Sequence, residues 1–114
     1  MGEEFMESVY QIVVYVPESH LEAVKEAMFA NGAGQIGDYQ SCAWQIQGQG
    51  QFQPIQGANP FIGQVGALER VSEYRVEVFC MHRYVSQVLR AMKHAHPYEE
   101  PAYFVFQSCH ADFE

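Results

Sequence analysis

Basic residues are scarce in this chain of 114 residues. Six lysines and arginines face 14 aspartates and glutamates, which gives a formal net charge of -8. Binding to nucleic acid or to an anionic membrane surface depends on lysine and arginine side chains that neutralise phosphate groups. We therefore expect neither nucleic acid nor a membrane among the partners.

Cysteine is also rare, and long apolar runs are missing. Cys42, Cys80 and Cys109 are odd in number and have no Cys-x-x-Cys spacing, which argues against a disulfide framework and a zinc ribbon. No apolar run approaches the roughly 20 residues that span a bilayer. Residues 1–7 lack the basic and apolar regions of a signal peptide. These absences predict a cytoplasmic protein with reduced thiols.

The apolar pattern predicts one domain at residues 8–108, between a flexible N-terminal segment, 1–7, and a C-terminal tail, 109–114. Runs that are apolar on both faces predict strands at about 8–16 and 102–107, and alternating apolar residues predict strands at about 41–47 and 69–80. Helical spacing predicts one helix up to Asn31 and another at about 83–94. This order predicts an α+β, ferredoxin-like βαββαβ fold: a four-stranded antiparallel sheet with both helices on one face.

Local signals indicate where the two helices begin and end. Ser19 and Glu22 have the spacing of a capping box at the start of the first helix. The pair Asn31-Gly32 suits a left-handed C-terminal turn. Pro97 disfavours helical geometry at the preceding residue and so ends the second helix.

The sheet face away from the helices is predicted to be too apolar to remain in water. The first strand carries Val13 and Tyr15 opposite its other apolar face, and the last strand, around 103–106, is apolar on both sides. A small two-layer domain cannot cover such a patch alone, which predicts self-association.

Residues 39–68 contain no charged side chain. We expect an ordered hairpin extension around Gly48 and Gly50, with a loop excursion spanning about 48–66, rather than a disordered linker. The apolar residues Phe52, Ile55 and Phe61 are anchors of a kind that linkers lack. Long loops in compact domains tend to be functional or to contact a partner.

The segment from His94 to Tyr103 holds the densest cluster of reactive side chains. His96 with Glu99 or Glu100 could bind a divalent metal or share a proton. Alternatively, the segment is a rigid turn with a hydrogen-bonded histidine and solvated glutamates. In an extended chain the two adjacent glutamates would point in opposite directions, which argues against a paired-carboxylate hydrolase. No nucleophile–base pair is identifiable, so we do not expect an enzyme.

Four motifs resemble a known family. They are AHPYEEPAY at 95–103, GQGQFQP at 48–54, PFIGQVGALE at 60–69 and NGAGQIGDYQSCAW at 31–44. Over about 9–106 the chain resembles the inserted domain of Nif-three-like proteins of the YqfO type. The resemblance implies a fold similar to the CutA and PII-like proteins, which are typically trimers. Full-length members also have two α/β lobes that build a two-metal site. This chain includes neither lobe, so hydrolase or cyclohydrolase activity does not carry over.

Together these observations predict a non-catalytic homo-oligomer that is a trimer by family likeness. It is expected to act as a binding or regulatory module for a small ligand. The alternatives are a divalent-metal-binding protein that uses His96, Glu99 and Glu100, and a protein–protein adaptor. The candidate ligand contacts lie in the matching motifs: His96, Tyr98, Glu99, Glu100, Gly48, Gly50, Phe52, Gly63, Gly66 and Glu69.

Overall fold

A computed structural model describes residues 8–108. The predictions for segments 1–7 and 109–114, including Cys109, lie outside the described residues. The βαββαβ prediction is confirmed, with a short 3-10 turn before each helix (Glu18–His20 and His82–Tyr84). The elements are β1 Val9–Pro17, α1 Leu21–Ala30, β2 Trp44–Phe52, β3 Glu69–Met81, α2 Val85–Ala95 and β4 Tyr103–Gln107.

The four strands form one antiparallel sheet in the order β2-β3-β1-β4. One face of β1 and β3 packs against both helices, which creates a single core. Its members are almost fully buried: they include Ile12, Val14, Val16, Val24, Met28, Val76, Val78, Val88 and Met92. Neither α1 nor α2 combines the length and the apolar character needed to cross a bilayer, and no other helix of the described part does.

The second strand differs from its prediction. We expected a half-buried strand at 41–47, but β2 runs from Trp44 to Phe52 and is largely exposed. It lies at the sheet edge and pairs only with β3. The alternation was correct, but its apolar members, Trp44 and Ile46, lie on the face away from the helices and remain 55% and 53% exposed.

Two predictions about the helix ends are confirmed and one is wrong. As the position of Pro97 predicted, α2 ends at Ala95 and His96 has an extended backbone. After α1, the Gly32 amide donates to Phe29 and the Ala33 amide to Met28, while Gly32 adopts φ +115°. This is a Schellman motif. The Ser19 capping box is absent, because Ser19 Oγ lies 2.8 Å from Nδ1 of the neighbouring His20, which precedes the first helical residue.

The face away from the helices, here called the open face, is polar in the centre and apolar at its edges. Glu77 accepts hydrogen bonds from Gln11 and Arg75, both at 3.0 Å. Arg75 also donates to the Tyr15 hydroxyl at 3.2 Å. Exposed apolar side chains flank this centre, on the β2 side (Trp44, Ile46, Phe79) and on the edge strand β4 (Phe104, Phe106). The exposed apolar side chains expected on this face are present, but they lie at its edges. The centre exposes none from Val13, because that side chain is already buried within the chain.

Candidate ligand-binding cleft

The loop between β2 and β3, residues 53–68, is closed at its base. The Gly66 amide donates to the Pro54 carbonyl at 2.7 Å, and the Gln53 side chain donates to the Gly66 carbonyl at 3.3 Å. Gly66 adopts φ +86°, a conformation that favours glycine. The excursion starts later than predicted, because Gly48 and Gly50 are ladder residues of β2.

The turn after α2 is held by His96, which is 6% exposed. Its Nδ1 accepts the Tyr98 amide hydrogen at 3.1 Å, so Nε2 carries the ring hydrogen and donates to the Tyr15 carbonyl at 2.7 Å. Burial lowers the pKa of His96 and favours this neutral form. A metal ion at either nitrogen would have to displace one of these hydrogen bonds. Both ring nitrogens therefore take part in the hydrogen bonds of the turn.

Glu99 and Glu100 were expected to point in opposite directions in an extended chain. Residues 98–100 form a bend instead of an extended segment, and both residues belong to the lining of the same cleft. Glu99 Oε1 also accepts the Asn59 amide at 3.1 Å, which ties the turn to the loop. Between residues 8 and 108, no group of three or more His, Cys, Asp or Glu side chains is arranged to hold a metal ion.

The loop and the turn enclose a cleft of about 390 Å³. One wall consists of residues 51–55, 58 and 60–62, and the other of Tyr15, Glu73, residues 98–100 and Ala102. The aromatic rings of Phe52 and Phe61 lie 6.1 and 6.3 Å from the Tyr98 ring, centroid to centroid. The cleft is therefore mostly apolar, with a few polar groups at one side, as small-molecule sites usually are.

Tyr98 and Glu73 form the polar part of the cleft. The Tyr98 hydroxyl donates to Glu73 Oε2 at 3.4 Å. Burial and the neighbouring Glu73 carboxylate raise the pKa of Tyr98 to about 12. Burial also raises the pKa of Glu73, and the hydrogen bond from Tyr98 acts in the opposite direction.

The structure brings five of the ten predicted contact residues to this cleft. Tyr98, Glu99, Glu100 and Phe52 line it, and His96 supports it from the buried side. The other five are not among its lining residues: Gly50 packs on Glu73, Gly63 on Glu69, Gly66 closes the loop, and a Cβ at Gly48 would meet no atom within 4 Å.

Sequence reasoning missed Glu73, Tyr15 and Phe61 as cleft residues. Phe61 appeared only as a loop anchor. Glu73 stands beside Gly48 in the β2–β3 register, and a Cβ at Gly50 would overlap its carboxylate. A glycine on one strand that makes room for an acidic side chain of the neighbouring strand is the signal that could have identified Glu73.

Comparison with known proteins identifies the chain's relatives. No family model matches it. A protein of Mycobacterium leprae named GTP cyclohydrolase 1 type 2 homolog is 54% identical over 94 residues, which cover 82% of this chain and 24% of that protein. The crystal structure of a Bacillus cereus protein related to NIF3 superposes with a TM-score of 0.78 at 40% identity, over 90% of this chain and 26% of that one. The chain is a homologue of one segment of the Nif-three-like proteins.

This finding confirms the resemblance seen in the four motifs. The chain spans about a quarter of the length of the curated relatives it matches. A divalent ion tolerance protein, CutA1 of Ehrlichia chaffeensis, aligns with a TM-score of 0.66 at 12% identity, over 95% of this chain and 88% of that one. At that identity the likeness concerns the fold alone, and it supports the CutA-like architecture of this chain.

Proposed function

We propose that this Nif-three-like chain is a non-catalytic, cytoplasmic, homo-oligomeric domain that binds a small ligand and acts as a regulatory module. The observation that carries the proposal is the cleft between the 53–68 loop and the turn after α2. Tyr15 belongs both to this cleft and to the hydrogen-bonded centre of the open face. Ligand binding and contact between copies are therefore adjacent on the surface.

The way in which the cleft is built supports a ligand site. Its two walls are tied by the Asn59–Glu99 hydrogen bond, and the turn is fixed by the two bonds of His96. Pre-organised walls reduce the ordering cost of binding. Phe61 is 53% exposed although it packs on the rings of His20 and Tyr98. An exposed aromatic ring at a concave site offers contact area to a ligand.

The open face supports self-association. Its apolar edges contain Trp44 and Phe104, which are 55% and 54% exposed in the single chain. A hollow of about 400 Å³ lined by Ile36, Cys42, Trp44 and Phe79 lies at the β2 edge and could receive a side chain of a second copy. The CutA-like fold and the family likeness favour a trimer.

Catalysis by the longer relatives is not proposed for this chain. The words "GTP cyclohydrolase" describe proteins of which the chain spans about a quarter. The polar and aromatic residues that line the cleft are three glutamates, two glutamines, two tyrosines and two phenylalanines. No nucleophile–base pair is found among the described residues that line it.

A thermal-shift screen with matched variants tests the ligand site. Phe61 lines the cleft and is 53% exposed, whereas Leu68 is a 45% exposed apolar residue of the same loop that does not line it. A ligand of the cleft should raise the melting temperature of the wild type and of Leu68→Ala. It should have little effect on Phe61→Ala. If every stabilising compound acts equally on both variants, the cleft is not the site.

A further inference from the structure

The cleft carries negative charge that no basic residue of its described lining neutralises. Three glutamates line it, Glu73, Glu99 and Glu100, and no lysine, arginine or histidine is among the described residues that do. In the described range, the ion pairs join Glu22 to Lys25 and Glu77 to Arg75, so none involves these three carboxylates.

Glu73 shows this imbalance most clearly. It is half-buried at the wall of the cleft, and its hydrogen bond from Tyr98 is long, at 3.4 Å. Burial raises its pKa, as expected for a carboxylate that loses water without gaining a cation. Arg75, two positions along β3, donates instead to Glu77 and Tyr15. A positive group entering the cleft would supply the missing partner.

The apolar walls determine what should carry that positive group. Phe52, Ile55, Phe61 and the Tyr98 ring line the same space. Aromatic rings attract cations at their faces and pack against apolar groups. A bare metal ion would leave these walls without contact. An anionic ligand such as a phosphate would meet uncompensated carboxylates, and this repulsion is reinforced by the net charge of -8.

We propose that the ligand of this cleft is a small organic cation, in which an ammonium or guanidinium group is carried on an apolar or aromatic body. The cation contacts the Glu73 carboxylate, and the body packs against the exposed surfaces of Phe61 and Tyr98. This inference rests on the proposed function, since it assigns a chemical class to the same cleft.

Three probes of similar shape and different charge test the inference. They are phenethylamine (cationic), 2-phenylethanol (neutral) and 3-phenylpropionate (anionic), titrated into the full chain by NMR. An ion-paired hydrogen bond to a carboxylate should favour the amine over the alcohol by about tenfold or more. Added salt should reduce this preference.

Two variants with the same change of charge locate the effect. Glu73→Gln should remove the preference for the amine. Glu26→Gln, at an exposed position of α1, should leave it unchanged. If the alcohol or the propionate binds as tightly as the amine and Phe61→Ala weakens all three, the cationic class is wrong although the cleft binds ligands. If none of the probes shifts cleft resonances, the inference also fails, and the screen of Phe61→Ala against Leu68→Ala decides separately on the site itself.

Discussion

Replacing His96 by alanine should be the most damaging single change at the cleft. The ring is 6% exposed and connects two backbone groups, the Tyr98 amide and the Tyr15 carbonyl. A buried polar group without a partner costs about 1–3 kcal/mol. Two such groups would cost about 2–6 kcal/mol, and because water in the adjacent cleft can reach part of this space, we expect a total near the lower end, about 2–3 kcal/mol. For a domain of this size the melting temperature should fall by roughly 10–15 °C.

The cost of His96→Ala should also depend on pH. Because burial lowers the pKa of His96 below its ordinary value of 6.5, the neutral ring contributes stability above that value. This contribution is lost as the pH falls from about 6.5 through the lower folded pKa. The His96→Ala variant lacks this pH-dependent contribution to stability. The difference in stability between wild type and variant should therefore be largest at neutral pH and should shrink on acidification.

Urea unfolding at several pH values, at one fixed protein concentration, measures both effects. His94→Ala is the matched control, because His94 is an exposed histidine in the last turn of α2, two residues before His96. Its effect should stay within about 0.5 kcal/mol. A cost of His96→Ala as small as that of the control would refute the reasoning, as would a cost that is constant from about pH 8 to about pH 5.

Two further predictions concern a glycine and the cleft tyrosine. Gly32→Ala should destabilise the fold by about 1–3 kcal/mol, because Gly32 has φ +115° and a Cβ would lie 2.6 Å from Cγ of Tyr84. Gly48→Ala should not destabilise the fold, because a Cβ at Gly48 would meet no atom within 4 Å. Equal urea midpoints for the two variants would contradict this prediction. The ultraviolet difference titration between wild type and Tyr98→Phe should stay flat through about pH 10, where ordinary tyrosines ionise, because the pKa of Tyr98 is raised to about 12. A phenolate signal near pH 10 would show that burial and Glu73 do not raise the pKa of Tyr98.

The fold could be predicted because its signals are local. Each signal follows from neighbouring residues: the apolar run of β1, the alternation in β3, the helical spacing in α2 and the Asn31-Gly32 turn. The bounds of β2 could not be predicted in this way, because glycines such as Gly48 and Gly50 are unfavourable inside a strand. They are tolerated at a sheet edge, where Gly50 leaves room for Glu73.

The cleft could be predicted only in part. Composition alone pointed to the turn from His96 to Glu100. The contribution of Glu73 and Asn59 depends on the β2–β3 register and on the path of the 53–68 loop, which are tertiary features. The expectation that Glu99 and Glu100 diverge assumed an extended backbone, and the bend at 98–100 removed its basis.

The oligomeric state tests the central claim most directly, namely that copies of this chain cover each other's open face. Sedimentation equilibrium at micromolar concentration should give a mass near three times the 13.0 kDa of one chain. Phe104→Glu, on the open face, should shift the mass towards a single chain. Ile55→Glu, an exposed apolar residue of the loop, should not. A wild-type chain that sediments as a monomer, or an association that Phe104→Glu leaves intact, would contradict the account.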